Sequence, residues 1–118
     1  MKRGEIWTAA GGVYAAKPRP SLIVQDDRFD ATDSMVVCPL TSGDHPAPLA
    51  RLLVDADSVS GLDVPSWVMV DKISAVHLRT VTRRIGRLTA QQLAEVERLM
   101  LVVLGLAGQP SARTGPVR

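Results

Sequence analysis

Cysteine, histidine and aromatic residues are scarce in this sequence of 118 residues. The single cysteine, Cys38, cannot form an internal disulfide bond, and with only two distant histidines it lacks the spacing of a four-ligand zinc site. Only 3% of the residues are aromatic, which is too few for a broad platform on which nucleobases stack. The composition therefore argues against a disulfide-stapled domain, a zinc-binding domain and a stacking surface.

Long apolar segments are missing as well. The longest run, residues 99–108, is much shorter than the ~20 residues that a transmembrane helix requires. The basic start of the chain is followed by Glu5 and then by small residues, whereas a signal peptide continues into a long apolar stretch. Together with the lone cysteine, these features predict a cytoplasmic protein without a membrane anchor.

The residues that are present suffice for one domain. Apolar residues make up 46% of the chain and charged residues 22%, which is the composition of a folded chain with a single core. The net charge is only +2, so the charge sum by itself does not indicate a polyanionic partner. Residues 109–118 show no apolar pattern. We therefore predict a domain over residues 1–108 and a disordered tail over residues 109–118.

Short apolar runs separated by turn residues predict a mainly β fold. The predicted strands are residues 4–9, 21–24, 35–38, 51–54, 67–77 and 85–88. The third of them is expected to stop at Pro39, and the fifth is the longest. Several short strands at this spacing, followed by one helix, indicate a small, strongly bent antiparallel barrel.

The clearest element is a helix after Leu88. Thr89 and Gln92 have the spacing of a capping box, and Leu88 and Leu93 that of a hydrophobic staple. Apolar residues then recur at helical spacing and form a stripe along the helix. Over residues 99–106 this stripe widens until most sides of the helix are apolar. Such a surface is expected to be buried against the sheet or a partner, and symmetric pairing into a homodimer is the usual solution.

No phosphate-binding loop, dinucleotide fingerprint or metal-binding helix motif is present. The acidic residues lie in the turn-like segments 26–33 and 55–63, where carboxylates are usually solvated. Basic residues are more suggestive, because four arginines lie between residues 79 and 87 and further cations lie near the start. If the two regions share a face, they form a surface for an anionic ligand; otherwise they are ordinary solvated arginines.

Several motifs, in this order, resemble those of the MazF/PemK family of toxin endoribonucleases. They are Gly4–Trp7, Arg19–Val24, Asp27–Asp30, Pro39–Ser42, Val70–Ile73 and Ile85–Thr89. The resemblance covers residues 2–107. Two departures stand out: Lys72 and Ser74 replace a usual glutamine and a common basic residue, and the short loop 8–18 contains no acid. Cleavage specificity is therefore expected to differ from that of better-known members.

The resemblance implies an SH3-like antiparallel barrel with a C-terminal helix, assembled as a homodimer. It implies cleavage of single-stranded RNA, mainly mRNA, without metal or cofactor, by attack of the 2′-hydroxyl. The family's catalytic arginine and threonine fall on Arg19 and Thr41. The expected RNA-binding residues are Tyr14, Lys17, Ser42, Lys72, Arg84 and Arg87. A small acidic MazE-like antitoxin is expected to neutralise the protein by occupying the same basic surface.

Two other classes remain open at this point. CcdB-type gyrase inhibitors resemble the same barrel and dimer but act through an aromatic-containing C-terminus, which the end of this helix lacks. A non-catalytic SH3-like binding module is the second alternative. Cleavage of RNA in the presence of EDTA distinguishes the three classes.

Overall fold

A computed structural model describes residues 1–10, 17–44, 46–47 and 49–108. Its strands are β1 (Glu5–Ala9), β2 (Arg19–Ile23), β3 (Ser34–Ser42), β4 (Arg51–Val54), β5 (Ser66–Met69), β6 (Ser74–His77) and β7 (Val81–Arg87), and its helix is α1 (Ala90–Val103). Short 3₁₀ turns occupy Val70–Lys72 and Leu78–Thr80. The predicted RNA-binding residue Tyr14 and the predicted tail lie outside the described residues.

Every strand pairing in the described sheet is antiparallel. The strands follow the order β4-β5-β3-β2-β1-β7, and β6 pairs with the first half of β3. The long strand β3 therefore connects two parts of the sheet, since residues 34–37 pair with β6 and residues 40–42 pair with β5. This arrangement confirms the predicted antiparallel fold with one C-terminal helix.

Strand β3 continues through Pro39, so the prediction that it ends there is wrong. Pro39 pairs with Ser21 of β2, and on its other side it falls between the partners β6 and β5. No ladder bond is required at that point on that side, so the missing N–H of proline is tolerated.

The predicted strand over residues 67–77 is likewise divided. Its two halves, β5 and β6, run in the same direction along β3, and the 3₁₀ turn Val70–Lys72 separates them. The break lies beside Pro39, where β3 changes partner, and it lets the sheet bend. The last strand, by contrast, is longer than the predicted strand over residues 85–88. It begins at Val81 and therefore includes part of the arginine-rich segment.

Apolar side chains cover both faces of the central strands. Leu22 belongs to the larger core cluster, which α1 covers with Val96 and Leu99, whereas Ile23 belongs to a smaller cluster on the other face. Burial on both faces explains why β2 ends in consecutive apolar residues, Leu22 and Ile23, rather than in an alternating pattern.

The predicted capping box at the start of α1 is confirmed. The Thr89 hydroxyl accepts a hydrogen bond from the Gln92 amide at 3.1 Å, and the Gln92 side chain accepts one from the Thr89 amide at 2.9 Å. Leu88 is buried in the larger core cluster, and Leu93 packs against that cluster. The helix therefore begins where the local sequence specifies, with its first turn fixed to the core.

A compact turn follows β4 and leads toward β5. One carboxylate oxygen of Asp57 accepts hydrogen bonds from the amides of Val59 and Ser60 at 2.9 and 2.8 Å. The buried Ser60 hydroxyl donates to the Asp55 carbonyl at 2.7 Å. These bonds hold residues 55–60 in one conformation.

The same turn is docked backbone against backbone on β7. A Cβ added to Gly86 would lie 2.2 Å from the Ser60 carbonyl oxygen, and one added to Gly61 would lie 2.1 Å from the Ile85 carbonyl oxygen. Gly61 also has a φ of +68°, which disfavours other residues. Glycine is required at both positions, and the contact fixes the direction in which residues 62–66 leave the turn.

Candidate active site

Arg19 and Thr41 meet at one end of the β2–β3 pair. The ladder pairs Ser21 with Pro39, and continuing its register by two residues places Arg19 opposite Thr41. Both residues line an open cavity of about 400 Å³. The two residues that the family resemblance singled out are therefore brought together by strand register, although they are distant in sequence.

The cavity has two walls. The first contains Arg19, Pro20, Leu40, Thr41 and Ser42, and the second contains Leu62, Asp63, Val64 and Ser66. The second wall was not expected from the sequence, because residues 55–65 show only a turn-rich, acidic composition. It comes from the docking of that turn on β7, a tertiary contact for which the glycines at 61 and 86 are the only local sign.

The guanidinium group of Arg19 makes no hydrogen bond or ion pair within the described part of the chain. Arg19 is exposed, and Pro18 and Pro20 on either side restrict its backbone to an extended conformation. A planar set of charged donors is thus presented at the mouth of the cavity. Such a group binds the oxygens of a phosphate in a bidentate manner.

The hydroxyl of Thr41 is weakly bonded. It donates to the Ser42 carbonyl oxygen at 3.3 Å, which is long for a bond between two oxygens. Thr41 pairs with Trp67 across β3 and β5, and the Trp67 indole N–H donates to the Gly43 carbonyl at 3.0 Å. The backbone around Thr41 is therefore held in place, while its hydroxyl can turn to a ligand in the cavity.

The other cations expected to bind RNA lie outside this cavity. Lys17 is exposed just before β2, and Lys72 is partly buried at the end of a 3₁₀ turn. Arg84 forms an ion pair with Glu5 at 2.9 Å, and the Arg87 side chain donates to the Leu88 carbonyl at 3.3 Å. Their contribution to RNA binding stays a prediction.

Glu5 neutralises part of the arginine-rich strand. Burial opposes ionisation of its carboxyl, but hydrogen bonds from the Lys2 amide, the Trp7 indole and Arg84 hold its pKa below the ordinary value. Near the same end, Arg3 pairs with Glu97 of α1 and donates to the Val24 carbonyl. Arg3 therefore ties the N-terminus to the helix, and the basic surface expected from composition is smaller than the arginine count suggests.

Another arginine–carboxylate pair holds two elements of the fold together. Arg51 of β4 and Asp71 form two parallel hydrogen bonds, Nε to Oδ1 and Nη2 to Oδ2, both 3.0 Å long. The Arg51 hydrogen bonds hold the pKa of the Asp71 carboxyl below its ordinary value. The acid in the Val70–Ile73 motif thus fastens the 3₁₀ turn to β4.

Other chemical centres are not evident in the described segments. No group of three histidine, cysteine or acidic side chains in these segments could hold a metal ion. Burial raises the pKa of the Cys38 thiol to about 12, so this thiol is not a nucleophile near neutral pH. Among the described residues, no helix is long and apolar enough to span a membrane.

Comparisons with known proteins show which family the chain resembles. The family described as PemK-like, MazF-like toxin of type II toxin-antitoxin systems matches residues 2–104. The chain is 47% identical to a probable endoribonuclease MazF of Mycolicibacterium smegmatis, over 92% of this chain and 100% of that protein.

Solved structures show the same fold. The Mycobacterium tuberculosis toxin MazF-mt6 is 26% identical and superposes with a TM-score of 0.75, over 86% of this chain and 97% of that one. A mycobacterial endoribonuclease in complex with its cognate antitoxin is 21% identical and also has a TM-score of 0.75, over 92% of this chain and 99% of that one.

Proposed function

The chain belongs to the PemK-like, MazF-like toxin family, and from this premise we propose that it is an endoribonuclease toxin. It cleaves single-stranded RNA, mainly mRNA, at short recognised sequences and thereby inhibits translation. The observation that carries this function is the meeting of Arg19 and Thr41, from neighbouring strands, at one open cavity.

The reaction is an internal phosphoryl transfer. The 2′-hydroxyl of one ribose loses its proton to solvent as its oxygen attacks the adjacent phosphorus, and the bond to the 5′-oxygen of the next nucleotide breaks as that oxygen takes up a proton from solvent. The products are a 2′,3′-cyclic phosphate and a 5′-hydroxyl. Negative charge increases on the non-bridging phosphate oxygens, and the charged fork of Arg19 stabilises it in the transition state.

Thr41 and Ser42 supply neutral donors on the same wall of the cavity. The Thr41 hydroxyl exchanges its weak bond to the Ser42 carbonyl for a bond to the scissile phosphate. Neither main catalytic group serves as a general base, because arginine stays protonated at neutral pH and a threonine hydroxyl is not basic. Their shared role is electrostatic stabilisation and orientation of the phosphate, a role for which the site needs no metal or cofactor.

The RNA extends beyond the cavity. Lys17 lies two positions before Arg19, and Arg84 and Arg87 lie on β7, two strands from β2 in the sheet. Together with Tyr14 and Lys72, these residues contact the flanking nucleotides. Arg84 has to exchange its ion pair with Glu5 for a phosphate, which makes its contribution smaller than that of an unpaired arginine.

The protein acts as a homodimer. Leu101 near the end of α1 and Leu104 and Leu106 just after it are 47%, 50% and 67% exposed. Exposed apolar side chains grouped in this way are typically covered by a partner, and two-fold pairing covers them in both protomers at once.

A cognate MazE-like antitoxin neutralises the toxin. Carboxylates of an acidic antitoxin segment bind the same cations that bind RNA phosphates, Arg19 foremost. The related endoribonuclease solved in complex with its cognate antitoxin supports this partner. Since its substrate is mRNA, the toxin acts in the cytoplasm, and residues 1–108 form its functional domain.

The alternatives receive no support. From Val103 to Gly108 the chain contains no aromatic residue, which disfavours a gyrase inhibitor of the CcdB type. A non-catalytic binding module would not require an unpaired arginine and a weakly bonded hydroxyl at one cavity.

The proposed activity is tested with purified protein, single-stranded RNA and excess EDTA. We expect cleavage at discrete sites, with 2′,3′-cyclic phosphate and 5′-hydroxyl ends identified by mass spectrometry. The control is Arg28→Ala, which removes an exposed arginine paired with Asp26 beyond the opposite end of β2. Intact RNA with wild-type protein, or 5′-phosphate ends, would contradict the proposal.

A further inference from the structure

An acidic residue shares the cavity with Arg19 and Thr41. Asp63 is exposed on the second wall, beside Leu62 and Val64. Arg19 and Asp63 are the only charged side chains among the described residues that line the cavity. The cavity thus carries one positive and one negative group, one from each of the two parts of the chain that line it.

The Asp63 carboxylate is unpaired among the described residues, and the backbone that precedes it is held in place. Its carboxylate makes no hydrogen bond or ion pair within the described residues, Arg19 included. The preceding turn is fixed by the Asp57 bonds and by the close contact of Gly61 with the Ile85 carbonyl. An unpaired acceptor is therefore held at a defined place on the wall.

The charges determine which part of an RNA faces each wall. A phosphate bound to Arg19 cannot also lie against the Asp63 carboxylate, because the two negative charges repel. The second wall consequently faces a base or a sugar. Val64 is 51% exposed there, and its aliphatic side chain suits the face of a base better than a hydroxylated sugar.

We propose that Asp63 determines base specificity by selecting guanine next to the scissile phosphate, an inference that rests on the proposed ribonuclease function. A carboxylate is an acceptor with two oxygens. On its Watson–Crick edge guanine presents two adjacent donors, N1–H and the N2 amino group, which match both oxygens. Adenine and cytosine present one amino group beside an acceptor, and uracil presents one N–H between two carbonyl oxygens that the carboxylate repels.

The inference is tested by cleavage of RNAs randomised around one scissile bond, followed by sequencing of the ends. We expect the wild type to favour guanine at one flanking position, and Asp63→Asn to reduce that preference about tenfold to a hundredfold. Asp55→Asn is the matched control, since it removes the same charge from the same turn outside the cavity.

A binding measurement separates this inference from the proposed function. Oligonucleotides with a 2′-O-methyl group at the cleavage site cannot be cut, and their affinity is measured by fluorescence anisotropy with guanine or uracil at the flanking position. Wild type should prefer guanine, and Asp63→Asn should not. Loss of cleavage with this preference intact would contradict the ribonuclease mechanism and leave the specificity assignment standing.

Three outcomes would overturn the assignment. An unchanged base preference in Asp63→Asn would show that the carboxylate does not read a base. An equal fall in the cleavage rate of all sequences, with loss of an acidic limb from the pH–rate profile, would make Asp63 a general base instead. An equal rise in the affinity for all sequences would show that the Asp63 carboxylate only repels RNA and selects no base.

Discussion

Arg19 at the start of β2 and Thr41 near the end of β3 line the same cavity, each two residues beyond the last ladder pair of these strands, Ser21 with Pro39. Their separation in sequence is irrelevant to the chemistry, because the antiparallel register sets their separation in space. One contributes a charged fork with no partner in the described chain, and the other a hydroxyl with a long bond. Two donors of different kind are thus directed at one volume that a phosphate can occupy.

Arg19→Ala is expected to slow RNA cleavage about 10²- to 10³-fold, the usual effect of removing one donor to a developing charge. Stability should change little, because the exposed guanidinium has no partner among the described residues. Arg19→Lys should recover little activity, since a point charge does not reproduce the planar fork. Single-turnover rates and thermal melting are measured together. Near-wild-type cleavage by Arg19→Ala would remove Arg19 from the site, and near-wild-type cleavage by Arg19→Lys would show that a point charge suffices there.

The family resemblance pointed to Arg19, Thr41 and Ser42 on the first wall, because these residues belong to local motifs on two adjacent strands. The second wall could not be predicted in the same way. Asp63 belongs to a turn-rich segment, and its position depends on contacts of Ser60 and Gly61 with β7, far along the chain. Backbone-to-backbone docking of this kind has no periodic signature in the sequence.

Asp71→Asn is expected to lower stability by about 1 kcal/mol near neutral pH, the value typical of a well-aligned pair near the surface. Because Arg51 lowers the folded-state pKa of Asp71, this stabilisation is complete above the unfolded-state pKa. It is lost as the pH falls through the lower folded-state pKa. Urea unfolding should therefore show the wild-type advantage at pH 7 and its decline below about pH 4.

Asp30→Asn serves as the control for that measurement. Asp30 is exposed, and its carboxylate makes no hydrogen bond or ion pair within the described residues. Its effect on stability should be small at every pH. An Asp71→Asn effect that stayed constant from neutral to acid pH would show that the ion pair with Arg51 does not stabilise the fold.

Gly86→Ala is expected to destabilise the protein by about 1–3 kcal/mol, the usual cost of overpacking. Its new Cβ would lie 2.2 Å from the Ser60 carbonyl oxygen, so the turn has to move away from β7. The melting temperature should fall by several degrees, and Ser58→Ala, an exposed change in the same turn, should have no such effect. An unchanged melting temperature for Gly86→Ala would mean that the turn is not docked as described.

Leu101→Glu is expected to convert the homodimer to a monomer without unfolding it, because Leu101 is 47% exposed in the single protomer. A charge buried in the interface without a partner disfavours association strongly. Light scattering at micromolar concentration measures the mass, and Gln91→Glu, on the exposed first turn of α1, is the control. A monomeric wild type would contradict the proposed assembly.

The helix and the strands differ in how far the sequence specified them. The capping box and the staple around Thr89 are local signals, and the helix starts where they predict. The bend between β5 and β6 and the passage of β3 through Pro39 depend on which strands become neighbours. Proline normally ends a strand, and it is accepted here because no ladder bond is needed on that side.

A double-mutant cycle tests whether Arg19 and Thr41 act together on one phosphate. Arg19→Ala, Thr41→Val and the double variant are compared with the wild type in single-turnover cleavage. Thr82→Val on β7 is the control, because it changes a threonine outside the cavity. Valine keeps the branched shape of threonine and removes only the hydroxyl. If the two groups stabilise the same transition state, their effects are strongly non-additive, and the double variant should be about as slow as Arg19→Ala alone. Single-variant losses that multiply in the double variant would show that the residues act independently, and would contradict a shared site.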